Sequence, residues 1–145
     1  MAKAVRPARR FAEKDGPRSV VIERELPYPP EKIWRALTQP HLIEEWLMKN
    51  DFKPVADHRF SFRADWGAVD CRVVAVDPNK TLSYTWAAYG LESVVTWTLT
   101  ATSTGTRLRM EHSGFRGDQQ QAYQGATYGW QRFFAALEQT LTRID

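Results

Sequence analysis

Residues 118–144 read DQQQAYQGATYGWQRFFAALEQTLTRI, and no proline interrupts them; the last proline of the 145-residue chain is Pro78. Apolar or small residues recur at Ala122, Ala126, Gly129, Trp130, Phe133, Leu137, Leu141 and Ile144, the three-and-four spacing of one helix face. Gln120, Gln124, Gln131, Glu138 and Thr142 occupy the other side. Asp118, with Gln121 three residues on, reads as an Asp variant of the capping box. The helix so predicted would run roughly 40 Å at ~1.5 Å per residue, enough to cross a small domain.

Side-chain size changes along that face. Its first half offers Ala122, Ala126 and Gly129, with Gly125 beside them, and its second half Phe133, Leu137 and Leu141. A glycine inside a helix costs about 1 kcal/mol against alanine, so two of them point to a packing or functional reason. Bulky residues seal the second half onto a partner surface. Small ones leave space beneath the first, filled either by large partner side chains or by a ligand.

Upstream, from Arg59 to Ser113, the hydrophobic period is two. A turn at Gly67-Ala68 sets Trp66 opposite Val69, Ala64 opposite Cys71, Phe62 opposite Val73 and Phe60 opposite Ala75. All eight share one face. Arg63, Asp65, Asp70 and Arg72 take the other, with attractive diagonals Arg63–Asp70 and Asp65–Arg72. A turn at Asp77-Pro78-Asn79-Lys80 adds Leu82, Tyr84 and Trp86 to the apolar face. Ala87 to Glu92 reads as a looser connection containing Gly90. A last hairpin turning at Thr102–Gly105 sets Leu99 by Leu108, Trp97 by Met110 and Val95 by His112.

Before these strands, Val20, Ile22 and Leu26 alternate along a first strand that also puts Arg24 on its apolar face. Pro30 suits a helix start for Ile33, Trp34 and Leu37, and Pro40 opens a second short helix carrying Leu42, Ile43, Trp46 and Leu47. The predicted class is α+β in the order β-α-α-β-β-β-β-β-α. A six-stranded antiparallel sheet lays its apolar face on the long helix, and the two short helices close one end.

Composition bounds the rest. The length suits a single domain, expected over residues 19–145. Six Trp, five Tyr and seven Phe make the chain rich in aromatics. The chain has no apolar run of ~18 residues and no apolar leader, which predicts no membrane partner and a cytoplasmic location. The single cysteine, Cys71, excludes an internal disulfide and reads as a small buried hydrophobe. Net charge is +3, but residues 1–18 hold six cations against Glu13 and Asp15, so +4 belongs to that segment and −1 to the remainder. A flexible basic tail over 1–18 is expected, with contact to nucleic acid or an acidic partner as the lesser reading.

The segments LPYPPEKIWRALTQPHLIEEW, TRLRMEHSGF and GATYGWQRFFAALEQTL resemble the START-like (SRPBCC) helix-grip superfamily, most closely the family named for the C-terminal domain of the activator of heat-shock-protein-90 ATPase. The resemblance covers about residues 19 to 144. It implies a sheet curved around the long helix and a cavity between them for apolar or aromatic small molecules, which carries catalysis in some relatives. Two features depart from the family's pattern. Only a basic tail precedes the fold, where the co-chaperone has a separate N-terminal domain. Asp57-His58 stands where relatives often show glycines.

The candidate ligand contacts on the sheet are Phe60, Phe62, Trp66, Tyr84 and Trp86, with Trp97, Met110 and His112 beyond them. Ala126, Gly129, Trp130 and Phe133 face them from the long helix, and Trp46 from the second short one. His41, His58 and His112 are not at metal spacing, and no H-E-x-x-H, Gly-rich phosphate loop or G-x-S-x-G elbow occurs; neither metal nor cofactor is expected. His112 is the one titratable group that register places on the apolar face. It orients a ligand, serves as a general base, or is a hydrogen-bonded residue near a strand end. Arg24 pairs either with an anionic ligand group or with Glu44 or Glu45. Three functions stand open: a binder of a small apolar or aromatic molecule, a cyclase or hydrolase using His112, and a protein-interaction or stress-response domain of the chaperone-activator kind. A nucleic-acid partner is not expected, a protein partner stays open, and the expected state is a monomer or weak dimer.

Overall fold

The computed structural model describes residues 18–145. Strand β1 (Arg18–Leu26) leads into helices α1 (Pro30–Thr38) and α2 (Pro40–Trp46), each opened by its proline as predicted. Strands β2 (Lys49–Asn50), β3 (Arg59–Ala64), β4 (Gly67–Asp77), β5 (Thr81–Ala88), β6 (Leu91–Ala101) and β7 (Thr106–Phe115) follow, and α3 (Gln120–Arg143) comes last. The expected tail over 1–18 lies outside the described residues except for Arg18, which begins β1 opposite Phe115. No helix among the described residues is long and apolar enough to cross a membrane.

Among the described residues the sheet is antiparallel, in the order β1-β7-β6-β5-β4-β3-β2, and has seven strands rather than the six expected. The extra strand, β2, pairs Lys49 with Arg63 and Asn50 with Phe62. Two residues are too few for any alternation to register in sequence. The Asn50 side chain anchors them, its Nδ2 donating to the Met48 carbonyl at 3.0 Å and its Oδ1 accepting from the Phe52 amide at 3.1 Å.

The hairpins confirm the apolar face while correcting some of its pairings. Leu99 faces Leu108, Trp97 faces Met110 and Val95 faces His112, as expected. Between β3 and β4 the turn is Asp65-Trp66, so Ala64 faces Gly67, Phe62 faces Val69 and Phe60 faces Cys71. That slip is even, so Phe60, Phe62, Val69, Cys71 and Val73 keep the buried face, while Trp66 moves to the turn and becomes exposed. A bulge between Val73 and Ala75 reverses the alternation, turning Ala75 outward and Val76 inward. On the wet face, Arg63 lies 3.7 Å from Asp51 and Arg72 lies 3.0 Å from Asp57, replacing the diagonals expected within the hairpin. The loose connection expected over Ala87–Glu92 is a two-residue hairpin. Ala88 pairs with Leu91, and Tyr89 and Gly90 sit at φ of 50° and 81°, the positive values a type I′ turn requires.

Helix α3 buries Trp130, Phe134, Leu137, Thr140 and Leu141 against the sheet and the short helices. Each large apolar side chain so buried stabilises the fold by about 1.5–3 kcal/mol. Phe134, absent from the predicted stripe, is more deeply buried than Phe133, which stays half-buried. Phe134 lies 5.6 Å from Trp97 in a stacked arrangement. The predicted capping box does not form, because Gln119 occupies the N-cap without a side-chain bond and Asp118 reaches Arg116 at 3.2 Å. Arg24 pairs with Glu138 at 3.7 Å and lies over the Phe134 ring at 5.8 Å. Glu45, one of its expected partners, pairs with Arg143 instead. Cys71 is buried as expected, which pushes its thiol pKa far up and keeps it unreactive.

Candidate functional site

A cleft of about 790 Å³ opens between the first half of α3 and one end of the sheet. The helical wall consists of Ala122, Gly125, Ala126, Gly129, Trp130 and Phe133. Val69, Trp86, Ala88, Leu91 and His112 face them from the strands, Trp66 and Tyr89 from the β3–β4 and β5–β6 turns, and Met48 from the loop after α2. Asp118, Gln119 and Gln121 stand at the rim where α3 begins.

Seven of the thirteen candidate contacts therefore lie together around this space: Trp66, Trp86, His112, Ala126, Gly129, Trp130 and Phe133. The other six are elsewhere. Trp97 and Met110 are fully buried, and the Trp97 indole N–H donates to the Tyr84 hydroxyl at 3.0 Å. Trp46 donates its indole N–H to the Ala36 carbonyl at 2.9 Å and sets its ring edge-on to Trp97 at 5.6 Å. Phe60, Phe62 and Tyr84 form an aromatic cluster with Phe52, whose ring meets Phe60 at 5.0 Å and Tyr84 at 6.3 Å. Phe52 fills that end of the sheet. It comes from an aperiodic stretch between β2 and β3, so no pattern in the sequence marks it as core.

Two lining positions outside the thirteen, Ala122 and Gly125, continue the small-residue run. Tyr89 lies in the segment expected to be a loose connection; the Tyr-Gly pair between two alternating segments is the sequence signal for its tight turn.

His112 lies at the base of the cleft and is 1% exposed. The Trp130 indole N–H, which can only donate, points at His112 Nδ1 from 2.9 Å. Nδ1 must therefore accept, and the ring proton resides on Nε2. There it meets Ser93 Oγ at 2.8 Å, and Ser93 passes its own hydrogen to the Trp86 carbonyl at 2.7 Å. The relay from Trp130 through His112 and Ser93 to Trp86 is fully satisfied only when the imidazole is neutral. Burial also lowers the pKa of His112 to about 4. With both nitrogens engaged, no lone pair is free to take a proton from a substrate. Among the described residues, no group of three or more His, Cys, Asp or Glu side chains converges to hold a metal ion.

The fold that positions this cleft is shared with known proteins. Residues 27–142 match the family described as Activator of Hsp90 ATPase homolog 1-like protein. The chain belongs to that family. Among solved structures, protein MLL2253 from Mesorhizobium loti is 65% identical, with a TM-score of 0.85 over 88% of this chain and 99% of that one. Protein BH1534 from Bacillus halodurans is 25% identical, with a TM-score of 0.76 over 86% of this chain and 96% of its own. DynU16, a protein of the dynemicin biosynthetic locus, gives the same identity and TM-score over 86% of this chain, which spans 47% of DynU16. No curated protein matches the sequence.

Proposed function

We propose that this member of the Activator of Hsp90 ATPase homolog 1-like family binds a small hydrophobic or aromatic molecule in the cleft under the first half of α3. The observation that carries the proposal is the emptiness beside the helix glycines. A Cβ added at Gly125 would meet no heavy atom within 4 Å, and one at Gly129 only the Phe133 ring at 3.9 Å. Close packing thus demands neither glycine, yet each costs about 1 kcal/mol of helix stability against alanine. Room for a ligand accounts for both. The lining is mostly apolar, with Asp118, Gln119 and Gln121 where α3 begins and His112 deeper in, the usual composition of small-molecule sites. DynU16, which shares the fold, comes from a biosynthetic locus. The relay that holds His112 neutral favours binding over base catalysis.

The test is thermal unfolding of the full chain against a panel of neutral aromatic and aliphatic compounds, with Gly129→Leu alongside. Selective binding at a hundredfold excess over Kd adds about 2.7 kcal/mol of stability, several degrees in Tm. Gly129→Leu should fold and lose the response. Unfolding of that variant, or a wild-type protein that responds to no compound, would remove the proposal and leave the interaction-domain reading.

A further inference from the structure

We infer that Trp66 and Tyr89 form a preorganised stacking platform at the mouth of the cleft, and that its occupant is a planar aromatic molecule rather than an aliphatic chain; this deepens the binding proposal above and rests on it.

The two residues sit at the tips of neighbouring hairpins, Trp66 in the β3–β4 turn and Tyr89 in the β5–β6 turn, and both line the cleft. Their exposure is unusual for their size, 54% for Trp66 and 80% for Tyr89. Burial in the core therefore does not hold these rings. Hydrogen bonding and turn geometry do. The Tyr89 hydroxyl donates to the Trp66 carbonyl at 2.6 Å, joining one tip to the other. The ring centroids lie 6.0 Å apart at an interplanar angle of 43°.

Two backbone features serve this one contact. Tyr89 occupies the left-handed region at φ 50°, which bulky residues rarely adopt and which an Asn, Asp or Gly would satisfy with less strain. At Gly67 a Cβ would come within 2.5 Å of the Tyr89 hydroxyl oxygen, so a side chain there would displace the latch. A surface turn with no task has no need of a strained tyrosine beside an exposed tryptophan. As a platform, the pair offers ring faces whose orientation is set before a ligand arrives, which lowers the ordering cost of binding. Trp86, Trp130 and Phe133 continue the aromatic lining inward. A planar ring gains stacking or edge-to-face contacts from such a wall beyond its buried area, whereas an aliphatic chain gains only the area.

Isothermal titration calorimetry of the full chain with 2-naphthol and 1-octanol, both neutral and both carrying one hydroxyl, separates the two occupants. The wild-type protein should bind 2-naphthol about tenfold more tightly. Trp66→Leu should weaken 2-naphthol by about tenfold and leave 1-octanol within about twofold. Tyr89→Phe, which keeps the ring and loses the latch, should weaken 2-naphthol several-fold with Tm little changed. Equal wild-type affinities, or equal losses for both probes in Trp66→Leu, would overturn the platform while leaving the cleft as a binding site. Binding of neither probe would sink the binding proposal itself, and the platform with it.

Discussion

Replacing His112 with leucine should destabilise the protein at neutral pH and cost almost nothing in mild acid. At pH 7.5 the substitution leaves the Trp130 indole N–H buried without an acceptor and removes an imidazole packed 4.6 Å from the Phe115 ring. An orphaned buried donor costs about 1–3 kcal/mol, so a loss near 2 kcal/mol is expected. The pH dependence follows from the pKa. In the folded chain His112 titrates at about 4, below the ordinary histidine value of 6.5. Between those values the unfolded state binds the extra proton, so this histidine's contribution to stability is complete above pH 6.5 and is lost as the pH falls towards 4. At pH 4.5 the wild-type protein should have lost about 2.5 kcal/mol through this one group, a loss the leucine variant escapes. The gap between the two proteins should therefore close to near zero. Urea unfolding followed by tryptophan fluorescence, at pH 7.5 and 4.5 with the m-values checked for equality, measures it. Carboxylate titration affects both proteins alike and cancels in the difference. A penalty of the same size at both pH values would refute the claim that the fold holds His112 neutral.

Gly125→Ala should raise stability by about 1 kcal/mol in the same denaturation assay, because the added methyl meets open space and alanine is the better helix former. Gly105→Ala should do the reverse, since its Cβ would overlap the Leu26 carbonyl and crowd Pro27. A loss above about 2 kcal/mol is expected, seen as a lowered urea midpoint. Tyr84→Phe removes the acceptor of the buried Trp97 indole and should cost about 1–3 kcal/mol, with a changed near-ultraviolet circular dichroism signal reporting the altered Trp97 environment.

Much of the architecture was legible because its signals are local and periodic. One face of residues 122–144 repeats at helical spacing, and prolines 30 and 40 mark helix starts in any context. The alternation from Phe60 to His112 tolerates error: with a side-chain period of two, Phe62 facing Val69 instead of Val73 still keeps Phe60, Phe62, Val69, Cys71 and Val73 inside, and only positions near the turn and the bulge are lost. The small-residue run from Ala122 to Gly129 was legible too, though it left open whether large side chains or a ligand take the space beside it.

What the sequence by itself determined, then, was which residues share a face and where side chains are small, because backbone geometry imposes those periods wherever the chain lies. Only the tertiary structure decided which members of that face surround space and which touch one another. Phe52, from an aperiodic loop, fills the end where Phe60, Phe62 and Tyr84 were expected to meet a ligand. His112 draws its partners from β6 and α3, and Tyr89 reaches Trp66 across two hairpins. These contacts join residues 18 to 23 positions apart, and no local period encodes a meeting set by how separate elements are laid against one another.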